Sequence, residues 1–276
     1  MVKLALSEPC ARSRTQDARF KISLAADRFF DKYKKEKPQE VRRLKMHGTE
    51  PDRLRARRQM LREMSPEQAI QVMHRYIVTT FGSGLTFFEA LALAKREGKL
   101  IVPIDVHDRI LTEIEDEALI KRLYSASGWT GTLIIYEKQG EPFGNKVFFS
   151  WQDDNVYSIS FIVPKQFLGR LDCALILDHP DFELINLGSN NYQIMAADEH
   201  IHLLENFPRE PYQPYLYDER FRIPIGEKQK IHDDTVRHLW RLHASYIGPI
   251  ARFARVVWGD VLAGRDWTRR SDVALF

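Results

Sequence analysis

LWRLHASYIGPIARFARVVWGDV, residues 239–261, decides how the chain closes its fold. Leu239, Leu242, Tyr246, Ile250, Phe253, Val257 and Val261 recur at spacings of three and four, which gives one apolar stripe along a helix. Gly248 and Pro249 interrupt the stripe, and a proline inside a helix removes a backbone hydrogen bond and kinks or splits it. The stretch predicts two consecutive helices in a C-terminal region spanning 228–276.

Immediately upstream, PREPYQPYLYDERFRIPIG (208–226) holds four prolines and three tyrosines, too stiff for a regular helix. It reads as an extended arm across the core, over 208–227. Further back, GTLIIYEK, NKVFFSW, NVYSISFIV, DCALILD, FELINLG and NYQIMA are short runs rich in β-branched and aromatic residues, punctuated by QGEPFG, QDDN, HPD and GSNN. Such spacing favours an antiparallel sheet or small barrel, because parallel strands need long crossovers. DEHIHLLENF reads as a helix closing this unit, 99–207, which opens with the extended segment KLIVPIDV and a helical DRILTEIEDEALIKRLY.

The first 98 residues read as helical. Ile22, Ala26, Phe29, Phe30 and Tyr33 share one helical face before Pro38, and HGTEP at 47–51 marks a break. Ser65 with Gln68, and Thr86 with Glu89, make capping boxes for two helices separated by a GSG turn. The outline resembles a helix-turn-helix only loosely, since Phe87, Phe88 and Glu89 suit burial and repel phosphate rather than read bases. The expected fold class is α+β: a helical N-terminal region, a central mainly antiparallel sheet or small barrel, and a helical C-terminal region.

The 276 residues are 44% apolar and 29% charged, a globular composition. Cys10 and Cys173 lack metal or disulfide spacing, and neither a signal-peptide core nor an 18-residue apolar run occurs. A cytoplasmic protein with no membrane partner is expected. The formal charge of +3 conceals segregation: residues 1–64 hold 18 Lys and Arg against 9 Asp and Glu, 65–227 hold 14 against 24, and 228–276 hold 9 against 5. Charge divided this way marks either a polyanion-binding end or basic ends that attract an acidic middle within the same fold.

PDRLRARRQMLREMSPEQ (51–68) concentrates the question, with five arginines in ten positions. In a helix, Leu54, Leu61 and Met64 form a thin apolar stripe, while Arg53 with Arg57 and Arg58 with Arg62 repel four residues apart. They need anions from the acidic middle, a partner protein or phosphates. Lys32, Lys34, Lys35, Lys37, Arg42, Arg43 and Lys45 extend the basic field beside Phe29, Phe30 and Tyr33, an interleaving that suits single-stranded nucleic acid. The residues expected to contact nucleic acid, DNA or RNA without sequence readout, are therefore Arg42, Arg43, Lys45, Arg53, Arg55, Arg57, Arg58 and Arg62.

Two clusters have the residue types for acid and base chemistry or a divalent metal: Asp105, His107 and Asp108, then Asp178, His179, Asp181 and Glu183. The same residues serve turns and caps, HPD above all, and they form a site only if the clusters converge. Cys173 sits in an apolar run as a buried thiol, and His232, His238 and His243 scatter around a helix. No phosphate-cradling or nucleophile-elbow motif is present.

The leading expectation is a non-enzymatic nucleic-acid-associated accessory protein without cofactor or metal. The alternatives are a protein-interaction or self-assembling subunit whose basic end meets an acidic surface, and a metal-dependent hydrolase or nuclease. The apolar tail Val273 to Phe276 docks either on a partner groove or, by default, on the chain's own core.

Overall fold

The computed structural model describes residues 49–65, 68, 82–106, 128–152, 156–208, 212–218, 220–221, 223–227, 236–240, 246–256, 259–264, 267, 271–273 and 275. These residues form two helices, α1 (Glu50–Glu63) and α2 (Phe87–Glu97), a helical turn at 104–106, and fourteen strands. No helix among them is long and apolar enough to cross a membrane.

The central runs form strands where their composition predicts: β2 (Gly128–Tyr136), β3 (Lys146–Gln152), β4 (Val156–Ile162), β5 (Ala174–Asp178), β6 (Phe182–Gly188) and β7 (Asn191–Ala196). The rest of the β structure is β1 (Gly82–Leu85), β8 (His202–Leu204), β9 (Tyr212–Tyr217), β10 (Pro224–Glu227), β11 (Val236–Trp240), β12 (Tyr246–Val256), β13 (Gly259–Gly264) and β14 (Ser271–Val273). Ten strands make one mixed sheet in the order β1-β14-β2-β12-β13-β11-β9-β10, with β5 joining β2 to β8. The other four make a second sheet, β3-β4-β7-β6.

The expected α+β class with a helical C-terminal region is overturned, because the 228–276 region contributes β11 to β14 to the large sheet. Its apolar spacing of three and four loses to pairing with β2, whose residues 129–136 are buried throughout. Pro249 is accommodated because β12 meets β13 only from Ile250 onward, and the β12–β2 register shifts between Pro249 and Ala251. A strand tolerates proline at such a bulge. Two smaller expectations fall with it: DEHIHLLENF gives a 3-10 turn and β8, and GSG lies in β1, paired with β14. The proline-rich segment contributes the extended strands β9 and β10, which pair antiparallel.

Both faces of β2 and β5 are covered. On one side Leu133, Ile135, Leu175 and Leu177 pack with Val147, Ile159, Phe161 and Ile194 of the small sheet. On the other, Ile134, Tyr136 and Ile176 meet Phe207, Phe221 and Ile223. The chain end folds into the first of these cores, with Trp267, Val273 and Leu275 fully buried and Trp267 edge-on to Phe87 at 4.8 Å. Phe87 is buried and Phe88 half-buried, so the start of α2 is an anchor and does not present a reading face. Capping boxes form at Thr49 and Asp52 and at Thr86 and Glu89. Ser65 and Gln68 exchange the same pair of hydrogen bonds; the body of the helix expected after them, the expected helices at 22–37 and 109–124, and residues 1–48 lie outside the described residues.

Candidate functional site

The site grows from a periodicity in α1. Arg55, Arg58 and Arg62 stand three and four residues apart and therefore on one face of the helix, beside buried Leu54 and Leu61. That face lies against the turn between β5 and β6 and against the helical turn at 104–106. Asp178 is the last residue of β5, Asp181 stands just before β6, and Asp105 lies in the helical turn.

Arg62 joins the two acidic clusters. Its Nε donates to Asp105 Oδ2 at 2.6 Å, and its Nη2 donates to Asp105 Oδ1 at 3.2 Å and Asp178 Oδ2 at 2.8 Å. Thr132 donates its hydroxyl to Asp178 Oδ1 at 2.7 Å and accepts the Ile104 amide at 3.0 Å. One turn earlier, Arg58 Nη2 pairs with Asp181 Oδ2 at 2.7 Å while its Nη1 donates to the carbonyls of Asp178 and His179. Arg55 Nε donates to Asp181 Oδ1 at 2.7 Å and its Nη1 to Asp52 at 2.9 Å.

The carboxylates are well sequestered: the Asp181, Asp178 and Asp105 side chains are 3%, 7% and 14% exposed. Each is held by at least one guanidinium, the condition under which buried charge is tolerated. Burial and the neighbouring Asp178 push the Asp105 carboxyl above its usual range, against the pull of Arg62. Three of the five arginines of the 51–68 stretch therefore find their anions within the fold. Their anions belong to the acidic middle of the same chain.

His179 completes the cluster. Its Nδ1 accepts the Ile101 amide at 3.3 Å, which places the proton of the neutral ring on Nε2. Burial, then Arg58, pushes the imidazole down to about 4, against the pull of Asp181. The unfolded chain takes up this proton near pH 6.5 and the native state only near 4. Stability is therefore whole above pH 6.5 and declines as pH falls toward 4, by roughly 3 kcal/mol. His179→Asn retains an acceptor and cannot titrate, so its urea midpoint should fall less steeply than that of the wild type between these limits. Parallel curves would show that His179 takes up its proton over the same pH range in both states.

Arg53 and Arg57 turn the other way. Both are exposed, and Arg57 Nη1 donates to the Gly98 carbonyl at 2.8 Å, which sets its guanidinium at the C-terminal end of α2. Lys95, Arg96 and Lys99 stand at that end, with Glu97 pairing Lys99 at 3.0 Å and Arg96 at 3.8 Å. The exposed Glu50 also approaches Gly98. The C-terminal end of α2 thus brings Lys95, Arg96 and, just beyond it, Lys99 near Arg57 of α1, with Glu97 and Glu50 as the carboxylates there.

Of the residues expected to contact phosphate, Arg53 and Arg57 face solvent, Arg55, Arg58 and Arg62 are engaged internally, and Arg42, Arg43 and Lys45 lie outside the described residues. Asp105 and Asp178 do converge, but on a guanidinium; His107 and Asp108 lie outside the described residues, and Glu183 is exposed on β6. Among the described residues no group of three or more His, Cys, Asp or Glu is placed to hold a metal ion. The Cys173 thiol is buried and pushed up to about 11 by desolvation, and His238 lies on β11, with His232 and His243 outside the described residues. Sequence reasoning missed Lys95, Arg96 and Lys99 as neighbours of Arg57, since their meeting depends on the docking of α1. Comparison with known protein families, curated proteins and solved structures gives no match to this chain.

Proposed function

We propose that this chain is a non-enzymatic, nucleic-acid-associated accessory protein that touches phosphates through the corner between α1 and α2. The observation that carries the reading is the Arg57–Gly98 hydrogen bond, which sets Arg57 at the end of α2 whose last turn carries the exposed Lys95 and Arg96. Exposed cations on two rigid elements suit a phosphate backbone and carry no base readout of their own. The basic residues at 1–48, Arg42, Arg43 and Lys45 among them, extend the same sign of charge along the chain.

Fluorescence anisotropy of labelled single-stranded DNA, over a salt series, tests this. The wild type should bind with an affinity that falls steeply with salt. A variant carrying Arg53→Gln, Arg57→Gln, Lys95→Gln and Arg96→Gln should bind at least about tenfold more weakly at low salt, its logarithmic salt slope reduced by up to about 3. Equal affinity and slope in both proteins would remove the corner from the reading, and no binding by the wild type would remove the reading itself.

A further inference from the structure

The small sheet is a second surface of interest. Its inner face packs on the large sheet through Val147, Ile159, Phe161, Phe182 and Ile194. Its outer face leaves large apolar side chains in solvent: Phe148 (50% exposed), Ile162 (52%), Ile185 (41%) and Met195 (46%). Residues on strands alternate between faces, and the pairing register sets these four on one side. Concentrated apolar exposure of this kind marks an interaction surface, whereas single exposed hydrophobes do not.

The strand register shows what suits it. Lys146 lies opposite Ile162, the β4–β7 register continued by one residue sets Ile162 beside Met195, and Met195 lies opposite Glu183. One rung of the outer face therefore reads Lys146, Ile162, Met195, Glu183 across the sheet, with opposite charges at its two ends. The next rung reads Phe148, Ser160, Gln193, Ile185, with exposed apolar side chains at both ends and a buried Ser160 and half-buried Gln193 between them. Lys146 and Glu183 are both exposed, and the Lys146 ammonium lies 5.7 Å from the Phe148 ring centroid.

A rung with unlike ends is self-complementary. Rotation by a half-turn about an axis parallel to the strands lays each rung on its own reverse. Lys146 then falls over Glu183 of the second copy and Glu183 over its Lys146, while Ile162 meets Met195 and Phe148 meets Ile185. The geometry points to a two-fold homodimer in which the outer faces of two small sheets stack with aligned strands, an isologous sandwich. Four strands about 4.8 Å apart and up to about seven residues long present a plane on the order of 400 Å² per copy, roughly 800 Å² in total, which is below the range of stable interfaces and makes this a weak dimer that forms only at high protein concentration. The dimer does not depend on the phosphate-binding corner, which lies on α1 and α2.

Sedimentation of the full chain from about 5 to about 500 µM tests it, with Lys146→Glu, Glu183→Lys and the two combined. The wild type should dimerise across this range. Each single reversal sets like charges against each other at both ends of the contact and should weaken dimerisation at least about tenfold. The double reversal should restore it to within about threefold, which a variant that had merely misfolded would not do. A wild type that stays monomeric throughout would overturn the proposal, as would a dimer equally strong in both single variants. In either event the DNA-binding outcome for the α1 and α2 corner stands or falls on its own.

Discussion

Gly131→Ala should abolish the native fold or lower its stability by at least about 4 kcal/mol, a larger effect than any surface substitution. A β carbon at this position would sit 2.2 Å from the Ile101 carbonyl oxygen and 3.0 Å from its carbon, both backbone atoms with no side-chain freedom to yield. The glycine is held from both sides, its amide donating to Val102 at 2.8 Å and its carbonyl accepting from His179 at 2.7 Å. To admit a methyl group the 101–102 segment has to withdraw. That movement also strains the Ile101–His179 bond and shifts Asp105, which the same segment carries to Arg62. Gly144→Ala is the control, since nothing lies within 4 Å of an added β carbon there, and it should change stability by less than about 1 kcal/mol. Thermal unfolding of the two variants checks the contrast.

Arg62→Gln should cost about 3 kcal/mol at neutral pH. Removing the guanidinium leaves Asp105 and Asp178 facing each other with no cation between them, and the loss of one partner from a buried pair costs more than the pair itself contributes. The side chain is 30% exposed, so water recovers part of the loss and the figure sits at the low end of such effects. The penalty should shrink as pH falls, because burial and Asp178 already push Asp105 upward and a protonated Asp105 no longer repels its neighbour. Urea unfolding at neutral and mildly acid pH measures both parts of this expectation.

The central strands were legible because each short β-branched run is bounded by residues that turn the chain, and every one of the six forms a strand. The C-terminal region was not. Leu239 to Val261 satisfies a helical period in isolation, and what defeats it is a partner more than a hundred residues away, the buried β2, which takes β12 as a neighbour. Pro249, read as a helix breaker, marks a register shift in a strand. Local pattern cannot distinguish these when tertiary pairing decides.

The arginine site was half legible. The spacing of Arg55, Arg58 and Arg62 is a single helical face in plain view beside Leu54 and Leu61, whereas pairing the arginines four apart concealed it. Charge segregation held the remaining clue, since the acidic middle supplies Asp105, Asp178 and Asp181. Which carboxylates meet which guanidinium depends on the β5–β6 turn and on the close approach at Gly131, and neither spacing nor composition encodes that. A glycine inside a strand hints at such an approach without naming its neighbour.

α1 divides its arginines between an inward clamp of Arg55, Arg58 and Arg62 and the outward Arg53 and Arg57. Urea unfolding of Arg55→Gln/Arg58→Gln/Arg62→Gln beside Arg53→Gln/Arg57→Gln tests that division most directly. The inward triple variant should lose more than about 4 kcal/mol or fail to fold, while the outward pair should stay within about 1 kcal/mol of the wild type. Comparable stability in the two variants would contradict the clamp and return all five arginines to the surface.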